Sequence, residues 1–553
     1  MADFTNKVVY QIYPKSFRDT NGDGFGDLPG VIEKLDYLQE LGIDYLWLTP
    51  FFPSPQKDNG YDVADYCGVD PKFGTMEDLE ELIRESEKRG IGLMLDMVFN
   101  HTSTDHIWFQ KALAGEEKYQ KYYIFKEGFP DQAPTNWQSK FGGSAWEYVP
   151  SLKKWYLRLF DVTQADLNWD NPEVREELKR ILQFWKQKGI RAFRFDVINL
   201  VSKPEKMEDD FQGDGRRFYT DGPHIHEYLK ELVRDTGIED FVTVGEMSST
   251  SLENCIRYSA PEEKELAMCF NFHHLKVDYK NGDKWTLMEP DYKKLKELFT
   301  AWQMGMQKGH GWNALFWSNH DQPRIVSRMG NEGIYWRESA KMLAGMIHFM
   351  RGTPYIYQGE ELGMLNAHYH SIEYYRDVES LNYYGILLKK GRTKKEALEI
   401  LAARSRDNAR TPMQWNRELY GGFSNTEPWL PMAETFREEI TVEAQQRDGG
   451  SILTFYKKLI AMRKKYPVIS KGEISFVETG SDTLLAYKRS LKDQNLVVLC
   501  NLSDREQQIQ IDSSWIHYRR LLYNYSGQEL EEEKKEFYTM KPYEFIALGN
   551  MRF

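Results

Sequence analysis

The chain has 553 residues, is 41% hydrophobic and 28% charged, and carries a formal net charge of −12, which suits one large soluble enzyme domain with smaller satellites. The acidic balance and the lack of a basic stripe exclude nucleic acid as a partner, and no apolar run approaches the length of a membrane span. Cys67, Cys255, Cys269 and Cys500 are widely spaced, without a CxxC pair, and the start MADFTNKVVYQIYP has no basic or apolar leader pattern; buried free thiols and a cytoplasmic location are expected.

In chain order, VVYQIYP (8–14) reads as a first strand. Residues 19–27, DTNGDGFGD, follow. Asp19, Asn21, Asp23 and Asp27 alternate with small residues, and the Phe25 carbonyl falls in line with them. Hard oxygens at every second position, with glycines for a tight turn, are what Ca²⁺ takes. A structural Ca²⁺ is therefore expected here. Val31, Ile32, Leu35, Leu38 and Leu41 form a helical stripe that stops at Gly42-Ile43, before YLWLTP. Thr75 caps a helix carrying Leu79, Leu82 and Ile83, which stops at Gly90-Ile91 before LMLDMV. Asn171-Pro172 opens a helix that stops at Gly189-Ile190 before AFRFDVI, and helix 223–235 reaches Gly237-Ile238 before FVTVGE. The strands are apolar throughout, as in a parallel sheet covered on both faces.

Gly42 and Gly90 are 48 residues apart, as are Gly189 and Gly237, whereas Gly90 and Gly189 are 99 apart. A repeating unit is thus interrupted by an insertion after the third strand, rich in Trp, Tyr, Lys and Gly. CFNF (269–272), NALFWSNH (313–320) and TPYIYQG (353–359) bring the strand count to eight. The expected architecture is an α/β fold. A (β/α)8 barrel takes residues 1–100 and 171–474, a small inserted domain takes 101–170, and a C-terminal antiparallel β-sandwich takes 475–553.

Catalytic groups of such barrels sit at the C-terminal ends of strands. Those ends carry Asp96 and His101, Arg194 and Asp196, Glu246, and His320 with Asp321. A single charged residue at a strand end is often a satisfied ion pair. Charges ending four apolar strands are costly unless a site uses them. Two carboxylates flanking one glycosidic bond can perform the whole hydrolysis. Arg194 lies two residues from Asp196, on the same strand face, and would keep it ionised as a nucleophile requires. Glu246 ends VTVGEM, a more apolar setting suited to an acid. Aromatic residues make up 14% of the chain, with rings that can pack on pyranose faces.

DMVFNH, AFRFDVI, VTVGEM and FWSNHD resemble, in order, the four signature regions of α-amylase-type glycoside hydrolases, and QADLNW (164–169) resembles a further region at the end of the inserted domain. The resemblance covers essentially the whole chain. It implies Asp196 as nucleophile, Glu246 as acid/base and Asp321 as transition-state stabiliser. It also implies that Asp58, Tyr61, His101, Arg194, His320 and Arg410 line the non-reducing glucose subsite, with an Asp–Arg pair restricting it to exo-action. The loop at 19–27 resembles the calcium site of oligo-1,6-glucosidases.

GDGRRFYTDGPHIHEYL (213–229), VGEMSST (244–250), FNFHHLKVDYKNGDKW (270–285) and GHGWNALFWSNHDQPR (309–324) are similar to trehalose-6-phosphate hydrolases. Two positions depart from relatives: Phe195, expected to point away from substrate, and His224. That similarity implies hydrolysis of a phosphorylated disaccharide without an organic cofactor. Arg217, Lys284 and Arg216 are the expected phosphate contacts; Lys276 and Lys280 read as solvated surface charges. The alternative is an oligo-1,6-glucosidase acting on isomaltose-type ends, where Val197 after the nucleophile is also seen. A non-catalytic barrel of the transporter-subunit kind would carry a membrane span and a broken triad, and this chain has neither. The expected partner is a small sugar; oligomeric state is not encoded in any visible pattern.

Overall fold

The structure, a computed structural model, describes residues 3–525 and 537–551. Eight parallel strands form its centre: β1 (Val9–Ile12), β2 (Tyr45–Leu48), β3 (Gly92–Met97), β4 (Ala192–Phe195), β5 (Val242–Glu246), β6 (Met268–Phe270), β7 (Ala314–Leu315) and β8 (Thr353–Tyr357). Their order is β6-β5-β4-β3-β2-β1-β8-β7, and a parallel bridge between Cys269 and Asn313 joins β6 to β7 and closes the barrel. The seventh strand is much shorter than NALFWSNH suggests, because regular pairing stops after Leu315.

The helix ends explain the repeat. The helices closing at Leu41, Lys88, Gln187 and Thr236 run into Gly42, Gly90, Gly189 and Gly237, with φ of 91°, 73°, 103° and 61°. Left-handed backbone there favours glycine and turns the chain back toward the barrel. Thr75 and Asp78 form a reciprocal capping box at the start of Met76–Lys88, and Asn171 accepts from the Glu173 N–H with Pro172 in the first turn. The first expected helix is two short ones, Leu28–Glu33 and Leu35–Leu41, broken at Lys34.

Between β3 and the helix Pro172–Gln187, Phe125–Glu127, Lys154–Leu157 and Trp146–Val149 form a three-stranded sheet. Trp137, Phe141, Trp146 and Phe160 pack there into a separate apolar cluster that includes Leu200 and Tyr219 from beyond β4. His101–Ser103 pairs with Gln164–Asp166, so the two ends of this excursion meet at the barrel mouth. Beyond the barrel, a five-stranded antiparallel sheet and a two-stranded ribbon enclose an apolar seam of Leu484, Val497, Leu499, Ile509 and Met540. Residues 526–536 and 552–553 of the expected C-terminal domain lie outside the described residues. All four cysteines are free. Among the described residues, no helix is long and apolar enough to cross a membrane.

Candidate active site

Strand register brings the charged ends together. Asp96 on β3 is level with Arg194 on β4, and Arg194 is level with Val244 on β5. Asp196 and Glu246 stand one step further toward the mouth. Arg194 is fully buried, and its Nη1 donates to Asp96 Oδ1 at 2.6 Å and Asp196 Oδ1 at 2.7 Å. Its Nη2 meets the Glu246 carboxylate. One guanidinium therefore bridges three carboxylates from three strands. Burial works against its charge, but Asp96 and Asp196 outweigh that and hold its pKa above the ordinary arginine value. Burial pushes the Asp96 carboxyl up, with Arg194 opposing. Trp47 Nε1 and the Tyr61 hydroxyl also donate to its Oδ2, at 3.0 and 2.9 Å.

The apolar surroundings expected for Glu246 are not what the fold supplies. The residues of β5 itself are apolar, but β4 places Arg194 alongside. A Cβ on Gly245 would press on the side-chain ends of Met247 and Leu266, 2.4 Å from Cε and 2.6 Å from Cδ1, and both would have to shift to admit it. Directly after Asp196, Val197 takes φ 34°, a left-handed conformation that a β-branched residue adopts only under constraint. Phe195 packs against Phe99 and Phe193, away from the mouth, as expected.

The expected subsite residues converge. His320 stacks on Tyr61 with ring centroids 4.9 Å apart and planes 5° from parallel. Gln11 Nε2 bonds its Nδ1 at 2.8 Å, and its Nε2 lies 3.3 Å from Asp321 Oδ2. Burial keeps His320 below the ordinary histidine pKa. Burial alone would raise Asp321, but His320, Arg406 and Arg410 hold it well below the usual carboxylate range. His101 Nε2 lies 2.9 Å from the Tyr61 carbonyl.

One assignment changes. Arg410 does not pair with Asp58; it donates to Asp321 Oδ1 at 2.8 Å and to the His320 carbonyl at 2.9 Å. The partner of Asp58 is Arg406, with Nη2 2.9 Å from Oδ1. Both arginines belong to RDNAR, and the 3₁₀ turn Arg406–Ala409 aims the first of them at Asp58. Arg406 also binds Asp377 and lies beneath the Phe141 ring at 4.9 Å. Burial lifts the Asp58 carboxyl to about 7, with Arg406 and Arg410 opposing. Gln164 was not anticipated either. Its Nε2 donates to Asp58 Oδ2 and the Tyr61 carbonyl, both at 3.0 Å, and so ties the inserted segment to this wall.

Each of the expected phosphate contacts has a carboxylate neighbour. Arg217 donates to Asp210 at 3.0 Å with its side chain 49% exposed, and Lys284 donates to Glu379 at 2.6 Å. Lys284 shares Glu379 with Arg406, whose Nε lies 3.5 Å from the same oxygen. Arg216 is held by Asp214 through Nε and Nη2, at 3.0 and 2.6 Å. It also feels the charges of two lysines, Lys140 and Lys276, that sequence reasoning did not select.

In the 19–27 loop, Asp19 accepts from the Gly22 and Gly24 N–H groups at 2.7 and 2.9 Å, and Asp23 accepts from the Phe25 N–H at 2.8 Å. Asn21 accepts from the Asp23 N–H at 3.0 Å, while Asp27 accepts from Thr20 and caps the next helix through Gly30. Gly24 is required, since a Cβ there would meet the Glu427 carbonyl at 2.4 Å. Among the described residues, one carboxylate trio is close enough to share an ion: Glu176, Glu231 and Asp235. The Lys179 ammonium already sits 2.7 Å from each of the three.

The model of the alpha-amylase catalytic domain matches residues 11–472, and that of the alpha-amylase SusG C-terminal domain matches 484–546. The chain is 53% identical to a trehalose-6-phosphate hydrolase of Escherichia coli (strain K12), covering 94% of each chain. It is 43% identical to an oligo-1,6-glucosidase of Bacillus cereus, covering 98% of each. The crystal structure of a trehalose-6-phosphate hydrolase from Bacillus licheniformis superimposes with a TM-score of 0.94 at 50% identity, covering 99% of this chain and 100% of that one. With eight strands ending in this set of charges, the chain belongs to the alpha-amylase family of glycoside hydrolases.

Proposed function

We propose that this enzyme is a retaining, exo-acting α-glucosidase that hydrolyses trehalose 6-phosphate to glucose and glucose 6-phosphate. The observation that carries the reading is the near-full-length identity of 53% to a hydrolase of that substrate, against 43% to an oligo-1,6-glucosidase. In this mechanism Asp196 attacks the anomeric carbon and Glu246 gives its proton to the departing glycosidic oxygen. A β-linked glycosyl-enzyme forms and glucose 6-phosphate leaves. Glu246 then takes a proton from water, which attacks the same carbon, breaks the ester and releases α-glucose. Retaining pairs stand about 5–5.5 Å apart, against roughly 6.5–9.5 Å in inverting enzymes. The single guanidinium shared by Asp196 and Glu246 favours the close arrangement.

Asp321, backed by Arg410 and Arg406, would bind adjacent hydroxyls of the glucose. The buried Asp58–Arg406 pair under Phe141 would end the pocket beyond one sugar. The 19–27 loop would hold a structural Ca²⁺ through Asp19, Asn21, Asp23, the Phe25 carbonyl and Asp27. Its donors are hard oxygens, and carboxylate oxygens that accept one N–H keep a second lone pair. No organic cofactor enters this scheme. Four free cysteines suit a reducing, cytoplasmic compartment. The second reading, an oligo-1,6-glucosidase, rests on the shared barrel and on Val197. Comparing kcat/KM for trehalose 6-phosphate, trehalose, isomaltose and maltose decides between them: a preference for isomaltose would overturn the first reading.

A further inference from the structure

The main-chain ladder between β4 and β5 stops just short of the catalytic pair. Its last rung joins Phe195 to Gly245, one residue before Asp196 and Glu246. Each of the two is tied outward instead: the Asp196 N–H bonds the Met97 carbonyl at 3.0 Å, and Glu246 is in register with Phe270 on β6. Beyond both, Asn199 spans the gap. It is fully buried in the short turn Ile198–Leu200, three residues after Asp196. Its Oδ1 accepts from the Ser248 N–H at 2.9 Å, and its Nδ2 donates to the Ser248 carbonyl at 2.9 Å. A carboxamide bonded to both main-chain groups of one residue takes the place of a pairing peptide. Nδ2 also donates to Asp221 Oδ1 at 2.9 Å, and the Asp221 N–H bonds the Asn199 carbonyl at 2.9 Å. Asp221 accepts in addition from Thr250, Asn254 and Tyr258, at 2.8, 2.9 and 2.7 Å. The carboxamide thus has one orientation that satisfies all its partners. Val197, Asp221 and Ser249 have φ of 34°, 51° and 54°. Left-handed backbone at such residues persists only where its surroundings over-determine it, and Asn199 joins all three segments.

We propose that Asn199 is a positioning residue for the catalytic pair: its carboxamide supplies the rung that the ladder lacks beyond Phe195 and Gly245, and so sets the separation of Asp196 and Glu246. The inference rests on the reading of these two as nucleophile and acid/base. Arg194 fixes the pair from the barrel side through one guanidinium, and Asn199 fixes it from the mouth side through the main chain. Retention needs the two carboxyl groups about 5–5.5 Å apart, and a misplacement of about 1 Å can cost on the order of 100-fold in rate. Without the carboxamide, the Ser248 N–H and carbonyl and one Asp221 oxygen lose their shared partner. Asp196 keeps its bonds to Arg194 and to the Met97 carbonyl. The displacement therefore falls on Glu246, whose chain runs through Met247 and Ser248 into left-handed Ser249. A displaced Glu246 delivers its proton poorly to the departing oxygen.

The test measures kcat/KM of the wild type and Asn199→Ala on 2,4-dinitrophenyl, 4-nitrophenyl and phenyl α-glucosides, with Tm alongside. Dinitrophenolate departs without a proton, whereas phenolate needs one from Glu246. Asn199→Ala should lose less than about threefold on the dinitrophenyl substrate and roughly 30- to 100-fold on the phenyl one, with 4-nitrophenyl between them. A role in stability alone lowers the folded fraction and cuts all three by one factor. That result, or three unchanged values, would overturn the rung. Asn199→Ser keeps a small polar group in the gap and covers the case in which the alanine variant does not fold: the same slope at a smaller height supports the rung, and a flat series overturns it. Glu246→Gln tests the underlying reading separately. If that variant keeps its rate on phenyl α-glucoside, the acid/base assignment fails and the rung with it. A flat Asn199→Ala series beside an inactive Glu246→Gln overturns the rung alone.

Discussion

Replacing Arg406 by Met isolates the wall of the glucose pocket. In the structure Arg406 bonds Asp58 at 2.9 Å and Asp377 at 2.5 Å, and approaches Asp321 at 3.3 Å. Methionine keeps much of the volume but leaves Asp58 with Gln164 as its side-chain donor. Breaking a buried ion pair costs about 3–5 kcal/mol, so Tm should fall by several degrees. Burial already lifts the Asp58 carboxyl to about 7, and Arg406 is the strongest group opposing that. Without it the carboxyl rises further and is protonated across neutral pH, losing its value as a charged acceptor for sugar hydroxyls. A charge-assisted hydrogen bond contributes about 1.5–3 kcal/mol, so kcat/KM on a neutral aryl α-glucoside should drop roughly 10- to 150-fold at pH 7. The acid limb of kcat/KM, which reports free-enzyme ionisations, should move to higher pH. A double-mutant cycle with Asp58→Asn separates this from general damage. Once Asp58 is neutral, removing Arg406 should cost only what its contacts with Asp377 and Asp321 contribute, less than the product of the two single losses. Losses that multiply, or an acid limb that stays in place, would refute the claim that Arg406 acts through Asp58.

Asp196→Asn and Glu246→Gln should each lower turnover by on the order of 10³ or more with Tm near the wild-type value; NMR of the first product should show α-glucose, and β-glucose would exclude retention. Asp23→Ala and chelation should each lower Tm with little change in kcat per folded molecule, since an ion at 100 times its Kd stabilises by about 2.7 kcal/mol. No Tm shift and no Ca²⁺ by metal analysis would make the loop a plain turn.

The barrel was legible because its physics repeats. Gly42, Gly90, Gly189 and Gly237 each stop a helix in the left-handed region, and each stop precedes an apolar strand. Strand ends then located Asp96, Arg194, Asp196, Glu246 and Asp321 without further information. The residues that escaped lie on irregular chain. Gln164 sits at the end of the inserted segment and Arg406 in a 3₁₀ turn four residues from Arg410. No periodicity says which arginine of RDNAR meets Asp58. The setting of Glu246 was misjudged for a related reason. An apolar strand reveals its own residues and not the guanidinium its neighbour brings beside it.

Charge is divided unevenly along the cleft, and the division follows the proposed substrate. On the glucose side, Arg194, Arg406 and Arg410 face Asp58, Asp96, Asp196, Glu246, Asp321 and Asp377. That excess of carboxylates suits a neutral sugar whose anomeric carbon turns positive in the transition state. The chain as a whole carries −12 and repels a dianion, so attraction has to be local and short-ranged. A phosphorylated disaccharide bound the wrong way round would put its phosphate against these carboxylates. The wall that admits a neutral glucose therefore fixes which of the two sugars becomes the glycosyl-enzyme.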